Sequence, residues 1–116
     1  MKRFETHPVG IDQGDVVLFA DFRDGGEMWT GSGPRERSRR VTFSRPFRDV
    51  PAVHASISLW DVDTGTGFRA EVIARNVTRK GFDILFRTWD DTRIARIRAA
   101  WTAIGALPHT DDWELD

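Results

Sequence analysis

The strongest constraint on this chain is an alternation of period two that runs through most of it and breaks at short intervals. In "AVHASISLW" (52 to 60), Val53, Ala55, Ile57 and Leu59 share one face and His54, Ser56, Ser58 and Trp60 the other. "FRAEVIARNV" (68 to 77) sets Phe68, Ala70, Val72 and Ala74 against Arg69, Glu71, Ile73 and Arg75. "FDILFRTW" (82 to 89) sets Phe82, Ile84 and Phe86 against Asp83, Leu85 and Arg87. Two weaker cases come earlier: "VVLFADF" (16 to 22), and "RRVTFSRPF" (39 to 47), where Val41 and Phe43 coincide. Apolar and polar side chains that alternate in this way suit a backbone whose successive Cβ atoms point to opposite faces, so each segment reads as a half-buried antiparallel strand.

Turn-forming residues separate them: "DGGEMWTGSGPRE", "DVDTGTG", "RKG" and "DDT". Strands at this spacing point to a small sandwich or barrel. The segment "RIARIRAAWTAIG" (93 to 105) is ambiguous, because Ile94, Ile97, Trp101 and Ile104 also fit helical spacing and Ala and Arg favour helix. The short "DDT" link after a strand suits a hairpin, so this segment is expected to be a strand, with Ala95, Ile97, Ala99, Trp101 and Ala103 inward and Arg96, Arg98 and Thr102 outward.

At 116 residues, one domain with a real core is expected, spanning 1 to 105, followed by a tail from 106 to 116 that carries Pro108 and four acidic residues. The chain is 40% hydrophobic and 30% charged with a formal charge of −1, so bulk charge names no nucleic-acid partner. Only Lys2 and Lys80 among the 17 basic residues are lysines, a bias toward planar, bidentate contacts. Without cysteine there is neither a disulfide framework nor a thiolate metal site. The opening "MKRFETHPVGIDQGD" has no apolar run after its basic residues, so no cleaved signal peptide is expected, and no stretch approaches the ~20 apolar residues of a membrane span. Location stays undetermined.

Few residues advertise catalysis. Asp61 with Asp63, and Asp90 with Asp91, have the chemistry of paired acids or calcium ligands, but Asp before Gly or Thr in a turn normally caps its own backbone. His7, His54 and His109 are far apart in the sequence and lack metal-ligand spacing. No nucleophile elbow, phosphate-binding loop or dinucleotide fingerprint is present. "RERSRR" (35 to 40) reads as a solvated strand end with ion pairs, and "NVT" (76 to 78) as a strand-end turn.

The aromatic residues say more: five Trp, eight Phe and no Tyr. Trp29 lies in a Gly-rich loop, Trp60 on the polar face of its strand, and Trp89 just before the expected hairpin tip. Indoles in such places want a cover, either a ligand such as a sugar, whose C–H face stacks on aromatic rings, or another protomer.

"VTFSRPF", then "PAVHASISLWDVD", then "FRAEVIARNVTRKGFDILFRTWDDTRIARIRAAWTAIG" together resemble an H-type lectin domain, closely over 39 to 105 and loosely over 10 to 38. The resemblance implies an all-β fold, a six-stranded antiparallel β-sandwich that assembles as a homotrimer. It implies binding of terminal galactose or N-acetylgalactosamine in clefts between protomers, without calcium or any cofactor. Whether two trimers pair into a hexamer is left open. Arg69 matches the family's sugar-binding Arg, whose guanidinium forks onto ring hydroxyls, and Trp89 matches an aromatic wall. Asp90 stands where well-studied members have a His. Two departures follow: Ser32 falls where those members have an Asp that accepts from sugar hydroxyls, and Ala95 where some have a Tyr. Trp29 and Glu36 are substitute candidates in the loop that carries Ser32. The expectation is a trimeric carbohydrate-binding module without catalysis or membrane insertion. The alternative is an assembly or adaptor module of a cell-surface or phage-like structure that has lost sugar binding.

Overall fold

The two segments whose inward rows are most deeply buried take the middle of a sheet each. A computed structural model describes residues 1–109. Its strands are β1 (Val9–Phe19), β2 (Arg35–Thr42), β3 (Ala52–Val62), β4 (Ala70–Arg75), β5 (Gly81–Thr88) and β6 (Ile94–Ala106). Between β1 and β2 lie two single-turn helices, α1 (Asp21–Asp24) and α2 (Glu27–Thr30). The strands form two three-stranded sheets, ordered β1-β6-β3 and β2-β5-β4, with every pairing antiparallel.

The sheets bury what the alternation marks. Phe82, Ile84 and Phe86 of β5 and Ile97, Ala99, Trp101 and Ala103 of β6 are buried between them. Phe43 packs edge-on to Phe47 at 5.1 Å, and Trp101 meets Phe82 edge-on at 5.5 Å, an aromatic cluster in which each side chain contributes roughly 1.5–3 kcal/mol of burial. Residues 94 to 104 are a strand, as their expected inward row requires.

Four features depart from expectation. β1 begins at Val9, not near Val16: ahead of the inward Val16 and Leu18 its inward positions are Gly10, Asp12 and Gly14, while Val9, Ile11 and Val17 face out. The usual pattern is inverted there: Trp101 packs over Gly14, where a Cβ would stand 2.7 Å from the indole Nε1. β2 begins at Arg35 and its inward row starts with Arg35, Arg37 and Arg39, so "RERSRR" is sheet rather than a solvated end. The link "DDT" closes no hairpin, since β5 and β6 belong to different sheets and residues 89 to 93 arch from one to the other. Each of these strands already has a partner on both edges. Finally Leu85, on the outward face of β5, is 1% exposed, shielded between the Glu36–Arg87–Glu71 row and the Arg40–Asp83 pair.

β6 runs to Ala106, and the Leu107 N–H donates to the Pro8 carbonyl at 2.8 Å, so the two ends of the sandwich's first sheet close together. The acidic residues expected in the tail lie outside the described residues. No helix among the described residues is long and apolar enough to cross a membrane.

The "NVT" segment is a turn: Asn76 has a left-handed φ of 54° and the Thr78 hydroxyl donates to Gly81 O at 3.2 Å. The Asn76 amide donates to Asp83 Oδ2 at 2.9 Å, and this bond, with help from Arg40, holds the Asp83 carboxyl below its ordinary pKa. A carboxyl lowered in the folded state adds stability above its unfolded pKa that is lost as pH falls through the folded value. Asn76→Gly keeps the left-handed backbone and should raise the Asp83 pKa in a carboxyl-carbon NMR titration. Gly14→Ala should cost about 1–3 kcal/mol in urea unfolding, because Trp101, only 9% exposed, has little room to yield.

Candidate functional site

One end of the sandwich is organised by a buried arginine. Arg35 is 6% exposed. Its guanidinium donates to the carbonyls of Gly33 (2.9 Å), Glu27 (3.2 Å), Met28 (3.2 Å), Asp90 (3.3 Å) and Thr92 (2.8 Å). A planar fork of five donors suits such a ring of acceptors, and a lysine could not reach them all. Three acceptors belong to α2 and the loop after it and two to the arch, so Arg35 fastens both to β2. Next along the row, Arg37 forks onto buried Asp21 at 3.0 and 2.8 Å, and Asp21 also accepts the Met28 N–H at 2.9 Å. This pins α1 and α2 against the sheet.

The arch is tied to the opposite loop by Thr92, which is fully buried. Its hydroxyl donates to Gly67 O at 2.9 Å and accepts the Arg69 N–H at 3.0 Å. The Thr88 hydroxyl donates to Arg69 O at 2.6 Å, so the Arg69 backbone is held from both sides. The Arg69 guanidinium remains about half exposed, 3.4 Å from Asp90 Oδ2 and 3.8 Å from Asp91 Oδ1. Gly67 makes room for it, since a Cβ there would lie 2.5 Å from Arg69 Nη1.

Asp90 has a φ of 63°. Its carbonyl accepts the Gly33 N–H at 2.8 Å, which brings exposed Ser32 beside it. Trp89 is 41% exposed. Its ring walls a groove of about 340 Å³ with Pro34, Arg35, Glu36, Arg87 and Thr88. Arg69, Trp89, Asp90 and Ser32 are thus gathered at one end of the molecule. Trp29 is engaged differently: the Arg93 guanidinium lies 4.3 Å over its ring, Phe22 meets it edge-on at 5.0 Å, and its carbonyl accepts from Arg93 Nε at 3.0 Å. Ala95 lines a separate small groove with Ala20, Phe22, Arg23, Asp61 and Arg96.

The carboxylates divide by role. Asp63 caps its own turn, accepting the Gly65 N–H at 2.8 Å, and pairs with Arg93 at 3.1 Å. Asp90 and Asp91, expected to cap their own turn, instead face Arg69. His7 and His109, far apart in sequence, meet ring to ring at 4.3 Å, while His54 lies on the exposed face of β3. No group of His, Asp and Glu among the described residues is arranged to hold a metal. What the cluster offers is a guanidinium donor, carboxylate acceptors, a hydroxyl and an indole face within one open surface.

Residues 38–104 match the family model of the H-type lectin domain. The chain belongs to the H-type lectin family. Its sequence is 53% identical over 108 residues to "ATP synthase subunits region ORF 7" of Fuscovulum blasticum, covering 93% of this chain and 94% of that protein. It is 34% identical over 101 residues to a discoidin-1 chain of Dictyostelium discoideum, covering 86% of this chain but only 40% of the discoidin. The structure of recombinant discoidin II of Dictyostelium discoideum shares the fold, with a TM-score of 0.75 at 24% identity over 91% of this chain and 41% of that one. The match supports the all-β sandwich and membership in a family of carbohydrate-binding domains.

Arg35→Met should destabilise the protein by about 3 kcal/mol or more, because it removes five hydrogen bonds at once. Arg35→Lys should recover only part of the loss in the same denaturation experiment.

Proposed function

We propose that this chain is a lectin that takes terminal galactose or N-acetylgalactosamine at the arch, in clefts completed by neighbouring protomers of a trimer, with no catalysis, metal or cofactor. The observation that carries this is the convergence of Arg69, Asp90 and Trp89 at one end of an H-type lectin domain, with the Arg69 backbone clamped and its guanidinium left accessible. Arg69 donates to vicinal hydroxyls, Asp90 accepts from them, and the indole covers the apolar face of the ring. Ser32, in place of a carboxylate, supplies a weaker hydroxyl contact.

A single site of this kind is weak, since a monosaccharide is small and its hydroxyls are well hydrated. Affinities of ~1 mM to ~10 μM follow. Three sites on one assembly raise avidity by ~100-fold or more on a dense glycan surface. Exposed Val9, Ile11, Val17 and Ile104 on the outer face of the β1-β6-β3 sheet support self-association.

That same apolar face, with Ser32 lacking the carboxylate, also favours the second reading, an assembly or adaptor module without sugar binding. A glycan array separates the two. The lectin reading expects selective signal for terminal galactose or N-acetylgalactosamine that Arg69→Ala abolishes while the variant stays folded. Silence from a folded trimer would favour the assembly module, and a monomer by light scattering at micromolar concentration would remove the shared cleft.

A further inference from the structure

The groove beside Trp89 is not needed to hold one sugar at Arg69, and its chemistry is specific. In register, Pro34 lies one residue before Arg35, which pairs with Thr88, so Pro34 and Trp89 stand side by side at the end of the outer face of the β2-β5-β4 sheet. One row further in, Glu36 pairs with Arg87 and Arg87 with Glu71 across the three strands. Arg87 Nε reaches Glu36 at 3.4 Å and its Nη1 reaches Glu71 at 3.4 Å. These are long, exposed pairs that leave guanidinium donors and carboxylate lone pairs available. The cavity of about 340 Å³ falls within the ~300–1,000 Å³ usual for small-ligand sites.

We propose that this groove is a second subsite, which takes the next neutral sugar of the same glycan, so that the chain recognises an oligosaccharide rather than one terminal residue. The inference rests on the lectin reading above. Trp89 is the shared element: its chain neighbour Asp90 meets Arg69, and its own ring walls the groove. Proline and indole offer an apolar floor for the C–H face of a pyranose. Glu36 accepts from its hydroxyls and Arg87 donates to them. Arg87 is flanked by two carboxylates and the Arg35 donors are taken by five carbonyls, so neither cation offers an unmet charge to a sulfated or sialylated unit, and a neutral one is favoured.

The test is isothermal titration calorimetry of the wild-type protein with N-acetylgalactosamine, with neutral di- and trisaccharides that carry galactose or N-acetylgalactosamine at the non-reducing end, and with sulfated counterparts. A neutral oligosaccharide should bind about five- to tenfold more tightly than the monosaccharide. Arg87→Gln should erase that gain while leaving monosaccharide binding unchanged, Glu36→Gln should erase the gain as well, and the sulfated forms should show no gain. Equal affinity for all neutral ligands, or a gain that survives both substitutions, overturns the second subsite and leaves the lectin reading intact. Binding of none of the sugars sinks the lectin reading and this inference with it. Should either variant fail to fold, NMR of the wild type decides: the Arg87 Nε–H signal should shift with the oligosaccharide and stay put with the monosaccharide, and the absence of that difference counts against the subsite.

Discussion

A buried guanidinium bound by five carbonyls holds together the end of the molecule that carries the candidate site. Arg35 carries a full charge while only 6% exposed, and no carboxylate is among its hydrogen-bond partners. The carbonyl dipoles of α2, of its following loop and of the arch do the work of a counter-ion, which they can do only while all three segments keep their places. The stability of that end and the geometry of the candidate site are therefore one quantity. Asp21 and Arg37 repeat the device one step along β2, this time as a forked ion pair. A segment that looks from its composition like a flexible, Gly-rich loop is thereby fixed on both sides.

The same feature explains where the sequence was easy to read and where it was not. Strands β3 to β6 announce themselves because their inward rows are apolar, and Trp101 and Phe82 sit where period two puts them. β2 hides because its inward row opens with three arginines, and nothing local says that Arg35 will be met by carbonyls from residues 27 to 33 and 90 to 92, Arg37 by the Asp21 carboxylate and Arg39 by the Val17 carbonyl. The first half of β1 hides for the complementary reason: glycines face inward to admit Trp101 and Leu107, while Val9 and Ile11 face out. Val9 pairs with Ala106, nearly the whole length of the chain away and beyond the reach of any local pattern.

The site was legible in its parts rather than in its assembly. Arg69, Trp89 and Asp90 stood out by the resemblance to a lectin domain, and their convergence depends on an arch between sheets that the short "DDT" link disguised as a hairpin. Thr92, which binds the arch to Gly67 and Arg69, carried no signal at all, since a threonine after two aspartates is an ordinary turn residue. Trp29 drew attention as an indole in a loop, yet its ring is covered by Arg93 and Phe22 from within the chain.

The order of the strands has a further consequence. β6, the middle of the first sheet, is the last strand among the described residues, and both of its neighbours, β1 and β3, precede it. Until residue 106 has left the ribosome, those two strands have no partner between them, and their edges and apolar side chains stand open to the solvent. The second sheet, complete by residue 88, is available earlier as a platform. The first sheet, and with it the sandwich, therefore closes only once β6 is available to both of its neighbours. Any lesion that shortens the chain before that point leaves two open strands rather than a smaller domain.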